Sequence, residues 1–250
     1  MNRSLTRVFP HTWRLVADNP SPLTGPGTNT YLVGREKVLI IDPGPDLLHH
    51  VENILAALET LGLATQAVLV THPHPDHEGC AEALAHRLAV PLLRFGAALQ
   101  DGDLIDLDCG QLVVYHTPGH IHAHISLWWP DRRLLFAADL VAGQGTILVI
   151  PPDGDMAAYL ASLAAMQALQ PAVILPGHGP MIDTPVELLQ QYIDHRLARE
   201  QQVLDRLAQG LATPETIANA IYADQSPEVR RIAALQVEAH LQKLRQENRL

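Results

Sequence analysis

Through its first three quarters the chain alternates short apolar runs with polar breaks rich in glycine and proline; after that the rhythm changes. Thr30–Val33 and Val38–Ile41 read as strands joined by a turn at Gly34. Leu47–Leu61 spaces Val51, Ile54, Leu55, Leu58 and Leu61 as one helical face. Val68–Val70 reads as a buried strand, Glu78–Leu88 as a helix and Val90–Arg94 as a short strand, with a turn at Asp101–Asp103. Leu112–Tyr115 is again a strand, and Ile125–Trp129 with Leu134–Ala138 predicts a hairpin around Pro130-Asp131. A helix capped by Asp153 or Gly154 runs to about Leu169, and Ala172–Leu175 is a last buried strand. From Pro185 onward the pattern is helical. Val186–Leu207 is long and amphipathic, and Thr213 and Ser226 each stand before a proline, the signature of an N-cap with proline at the first helical position. The first of these helices reaches about Ala223, and the second sets Ala233, Val237, Leu241 and Leu244 on one face. The boundaries expected are therefore 1–184 for an α/β domain and 185–250 for a helical one.

Polar chemistry sits where the apolar runs stop. Val68–Val70 ends in Thr71-His-Pro-His-Pro-Asp-His77, Leu112–Tyr115 runs into His116-Thr-Pro-Gly-His120, Leu134–Ala138 ends at Asp139, and Ala172–Leu175 leads into Pro176-Gly-His178. Four strand ends each deliver histidine or aspartate, and one edge of a sheet system is where an α/β protein places its site. Neutral imidazole and carboxylate are the preferred non-thiolate ligands of a zinc-type ion. His72 and His74, two apart in extended chain, share a side and one ion, which His120 completes. Asp76 and His77 lie beyond the turn and serve a second ion with His178, and Asp139 bridges the pair. Each ion keeps a position for a shared water, as a catalytic centre does.

Composition narrows the surroundings of that site. The chain has 250 residues, is 47% hydrophobic and carries a formal charge of −10, so its overall field recruits neither nucleic acid nor acidic membrane. Two cysteines, Cys80 and Cys109, make no disulfide framework and suit a reducing compartment. The start, Met1–Arg14, lacks the apolar core of a signal peptide, and no run reaches membrane-spanning length. The expectation is a soluble, cytoplasmic protein.

His72-x-His74-x-Asp76-His77, with Thr117-Pro-Gly-His120, Asp139 and Pro176-Gly-His178, resembles the metallo-β-lactamase superfamily. The resemblance implies an αββα sandwich of two mixed sheets, and two Zn2+ ions, with Mn2+ or Fe2+ as alternatives. Gly27–Val33, Ile41–Gly44, Pro176–Ile182 and His195-Arg-x-x-Arg-Glu-Gln201 resemble more narrowly the β-lactamase-like protein 2 group, which includes a single-strand-specific endoribonuclease; fungal thioesterases look similar. The chain departs from that group at Cys80, where a second glycine is usual, and at Ala138, where a glycine commonly precedes the bridging aspartate. The resemblance makes Asp42 an acid that orients a ligand, with a plain turn aspartate as the alternative, and places His124 beside the ligands. His116 reads as structural, His122 as extra, and His11, His49, His50 and His86 as surface residues. The helical tail resembles a small winged-helix-like domain, read as a lid or wall over the metals with a role in homodimer contacts.

Three functions compete. The resemblance favours hydrolysis of single-stranded RNA, with Asp76 and Asp139 as catalytic carboxylates and Arg196 and Arg199 attracting phosphate. The acidic charge favours a small-molecule acyl substrate, a thioester of the hydroxyacylglutathione or acyl-carrier type. A regulator that binds DNA through its tail is disfavoured, because residues 185–250 carry 8 basic and 9 acidic residues, interleaved as on a solvated face. RNA is preferred on the resemblance, against the charge.

Overall fold

The computed structural model describes residues 5–250; Met1–Ser4, the first residues of the segment read as lacking a signal core, lie outside them. Two sheets form. The first contains β1 (Thr6–Phe9), β2 (Thr12–Val16), β3 (Asn29–Val33), β4 (Lys37–Ile41), β5 (Ala64–Val70) and β6 (Leu92–Arg94), in that spatial order. Its first four strands are antiparallel, and β4, β5 and β6 run parallel. The second contains β7 (Leu104–Leu107), β8 (Gly110–His116), β9 (Ile125–Trp129), β10 (Leu134–Ala138) and β11 (Val173–Pro176). It is antiparallel except where β10 and β11 pair in parallel.

Side-chain alternation tells each strand which layer it serves. On β4, Leu39 and Ile41 join Leu69 of β5 and Leu112, Leu127 and Phe136 of the second sheet in a core between the sheets. The intervening Val38 and Ile40 point the other way, onto Ile54 and Leu58 of α1 (Leu48–Leu61) and Leu84 of α3 (Ala81–Leu88). The short α2 (Pro75–Glu78) precedes α3. Each fully buried Leu or Ile contributes about 1.5–3 kcal/mol of transfer free energy, and Leu39, Ile40, Leu69 and Ile54 are all at 0% exposure.

By its internal contacts the chain divides into two compact units. Among the described residues one comprises 5–116, 123–147 and 171–185, and so holds both sheets. The other comprises 117–122, 148–170 and 186–250, so the segment after β8 and the helix α4 (Met156–Ala168) group with the C-terminal helices α5 (Pro185–Ala208), α6 (Pro214–Ile221) and α7 (Pro227–Gln246). The second unit has its own core of Val203, Ile217, Val237, Leu241 and Leu244. Thr213 and Ser226 cap α6 and α7 as the sequence predicts, accepting from Thr216 N and Val229 N. The cap of α4 is Asp155, whose Oδ1 accepts from Ala158 N at 2.9 Å, rather than Asp153 or Gly154. Among the described residues, no helix is long and apolar enough to cross a membrane.

Candidate metal centre

Two short chain segments set the geometry of the first unit's site. β4 delivers Asp42 in a left-handed turn, at φ 49°. β5 delivers Thr71 and His72, and the prolines that follow open α2 with Asp76 and His77 in its first turn. Asp42 is 2% exposed and fully engaged. Its Oδ1 accepts from Thr71 N at 2.8 Å, and its Oδ2 accepts from Thr71 Oγ1 at 2.7 Å and from His77 Nδ1 at 2.8 Å. It fixes the His77 ring from behind and is no plain turn residue.

The histidines share a pattern. A carboxylate or carbonyl can only accept, so His77 Nδ1–H donates to Asp42 and His178 Nδ1–H points at Gly27 O, 3.4 Å away. Thr71 Oγ1 gives its proton to Asp42, so it receives His72 Nδ1–H at 3.1 Å. In all three rings Nδ1 is the nitrogen held from behind, and Nε2 turns inward. His77 Nε2 and His178 Nε2 lie 3.3 Å apart, and His72 Nε2 lies 3.0 Å from His74 Nδ1. Asp139 stands between the pairs: Oδ1 is 3.4 Å from His77 Nε2, and Oδ2 is 3.4 Å from His178 Nε2 and 4.0 Å from His72 Nε2. Asp76 Oδ2 lies 3.5 Å from His77 Nε2, 3.3 Å from His178 Nε2 and 3.2 Å from Thr28 Oγ1.

Nitrogens and carboxylate oxygens converging at such distances need protons or a cation between them. Burial alone would lower the His77 pKa, yet Asp139 and Asp42 hold it well above the ordinary imidazole value. Burial opposes protonation of His178 too, and Asp139 and Asp76 lift it to about 9. Burial would raise Asp139, but His77 and His178 keep its carboxyl well below the usual range. Asp76, with the same opposition and the same two histidines, falls to about 2. The two ionised carboxylates thus draw protons onto the facing histidines, and the same imidazole and carboxylate donor set suits a divalent metal. Asp76, His77 and His178 offer ligand atoms within 4.8 Å of one another, as do His72, His74 and Asp139.

His120 falls in the second unit, on the segment after β8. Its Nδ1–H donates to Leu148 O at 2.6 Å, so here too Nδ1 is the nitrogen held from behind. His124, wholly buried, accepts from Asp139 N at 3.1 Å and holds that backbone in place. His116 stacks on Phe95 with centroids 4.3 Å apart, a structural role. His50 corrects the surface assignment: it is 1% exposed and its Nε2 meets Thr30 Oγ1 at 2.9 Å. The helical spacing of Val51, Ile54 and Leu58 carried the signal, since His50 adjoins that face. Arg196 is also misplaced by the sequence reading. It is 4% exposed and lies over the Tyr159 ring at 5.4 Å, so it presents no cation to solvent.

Residues 23–98 and 94–178 match the Metallo-beta-lactamase superfamily. The chain belongs to that superfamily. Residues 213–250 match the Beta-lactamase associated winged helix domain. A Beta-lactamase-like protein 2 homolog of Caenorhabditis elegans is 32% identical over 93% of this chain and 85% of its own length. An Atrochrysone carboxyl ACP thioesterase of Aspergillus chevalieri is 32% identical over 80% of this chain and 67% of its own. The crystal structure of a metallo-beta-lactamase family protein from Thermus thermophilus superposes with a TM-score of 0.81 at 21% identity, covering 97% of this chain and 95% of that one. As a superfamily member, the chain carries an alanine, Ala138 at φ 44°, immediately before Asp139.

Proposed function

We propose that the protein is a dinuclear metal-dependent hydrolase of thioesters or related acyl substrates. The observation that carries the hydrolase reading is the convergence of imidazole Nε2 atoms and ionised carboxylates around Asp139, with the Nδ1–H of each of His72, His77 and His178 directed at an oxygen behind it. His72, His74 and His120 would hold one ion, Asp76, His77 and His178 the other, and Asp139 would bridge them. Bound there, the ions supply a Lewis acid and lower the pKa of a shared water towards 7. The chain's own part is positional. Asp42 and Thr71 fix His77 and His72, His124 fixes the backbone of Asp139, and Asp76 faces the more open side, its side chain 28% exposed.

Charge favours the acyl substrate. Residues 1–184 carry 9 basic and 18 acidic residues. Of the arginines expected to meet phosphate, Arg196 is buried, and Arg199 lies over Tyr222 at 4.3 Å and donates to Gln202. Arg94 is flanked by Glu78 and Glu82, at 3.4 and 3.1 Å. The relative named as an acyl-carrier thioesterase supports the same reading. Hydrolysis of single-stranded RNA is the second reading, supported by the likeness to the β-lactamase-like protein 2 group. The two separate by salt: a polyanion loses affinity steeply as ionic strength rises, and a neutral acyl group does not. We expect turnover of acyl-glutathione and other thioesters of low charge to vary little between low and physiological salt. Robust cleavage of a short single-stranded RNA by a preparation that leaves every thioester intact would overturn the acyl reading.

A further inference from the structure

The second unit builds a support behind His120. Gly119 precedes it at φ 136°, and a Cβ there would meet the backbone and Cβ of Tyr159 at 2.2–2.4 Å, so the segment lies directly on α4. Three hydrogen bonds pin it. Ser162 Oγ donates to Pro118 O at 2.7 Å, Asp155 N donates to Gly119 O at 2.9 Å, and His120 Nδ1 donates to Leu148 O. Tyr159 is at 0% exposure, and behind its ring stands the guanidinium of Arg196 from α5. Arg196 in turn donates through Nη1 to Gln236 Oε1 of α7, 3.5 Å away and itself 8% exposed. A cation taken this far out of water stays only where its partners compensate for lost hydration.

We propose that Arg196 is a positioning residue for His120: it braces Tyr159, and through Tyr159 it fixes the segment that presents the His120 imidazole. The inference rests on the reading of His120 as a ligand.

The test uses the full-length chain freed of metal and titrated with Zn2+ against a chelator, with thermal unfolding as a check on the fold. Partners of metal-ligating histidines typically alter metal affinity on the order of ten- to a hundredfold. Arg196→Met is expected to weaken one of two binding steps by about that factor and to leave the other in place. Arg196→Lys, which keeps the charge without the planar face, is expected to fall between Met and wild type. Should Arg196→Met fail to fold, Arg196→Lys carries the test, with a weakening confined to one step as the expected result. Both steps unchanged, or both weakened alike, would overturn the inference. His120→Ala separates the two layers. If it weakens one step while the Arg196 variants change nothing, the positioning role alone is wrong. If it leaves both steps intact, the ligand assignment falls and takes the inference with it.

Discussion

Asp42 has no idle oxygen: one accepts from the Thr71 backbone, and the other is shared by the Thr71 hydroxyl and the His77 ring. Asp42→Asn would turn an amide where a carboxylate now accepts, and His77 would lose the group that sets its tautomer. We expect that variant to weaken metal binding on the order of ten- to a hundredfold, measured by chelator competition; wild-type affinity would contradict the role. His50 makes a different prediction. Burial, with neighbouring His49 adding to it, pushes its pKa down to about 4. Its folded value is depressed, so the stabilising contribution is present above the unfolded value near 6.5 and is lost as pH falls towards 4. The full swing is about 3 kcal/mol. In urea unfolding of metal-free protein, wild type should lose that much more stability between pH 7 and pH 4 than His50→Gln. Parallel losses in the two proteins would contradict the assignment.

At the scale of elements, the strand ends are the working parts, and the end of β10 carries a strain. Ala138 sits at φ 44° between a buried strand and Asp139, a conformation that is costly for a residue with a Cβ. Ala138→Gly removes that cost but adds chain entropy and deletes a buried methyl, so it should shift unfolding free energy by less than about 1 kcal/mol. Ala138→Val, with a branched Cβ in the same turn, should lose about 2 kcal/mol or more. A glycine variant as unstable as the valine one would show that the strain is absent. What could be read in the sequence follows the same physics. Strands buried on both faces, such as β4 over Val38–Ile41 and β10, appear as unbroken apolar runs. By contrast β1, β2 and β7 were not predicted. β1 and β7 are edge strands with exposed positions at Thr6, Arg7, Leu104 and Asp106, and β2 places Arg14 between Trp13 and Leu15, so neither length nor alternation marks them. The candidate ligands stood out because each lies within a few residues of the end of an apolar run. The burial of Arg196 and His50 did not, because long-range packing decides it.

At the scale of the whole molecule, the helical unit reaches further back along the chain than a boundary at residue 184 suggests, taking in 117–122 and 148–170. One consequence is that the His120 segment and its scaffold belong to one unit. Lys243 Nζ donates to Glu200 Oε2 at 2.7 Å, and Arg249 donates to the other oxygen of the same carboxylate, so α7 and the chain end are tied to α5. His240 beside it, together with these two cations, holds the Glu200 carboxyl at about 2. The charge of −10 belongs to this scale too, and it weighs against a polyanionic substrate. The central claim, however, is the two-ion centre around Asp139, and metal content tests it most directly. Elemental analysis of protein reconstituted and freed of excess metal should find two transition-metal ions per chain, and Asp139→Asn should hold fewer, since it removes one negative charge from between the two cations. At most one ion in the wild-type protein, with no second binding event on titration, would contradict the account.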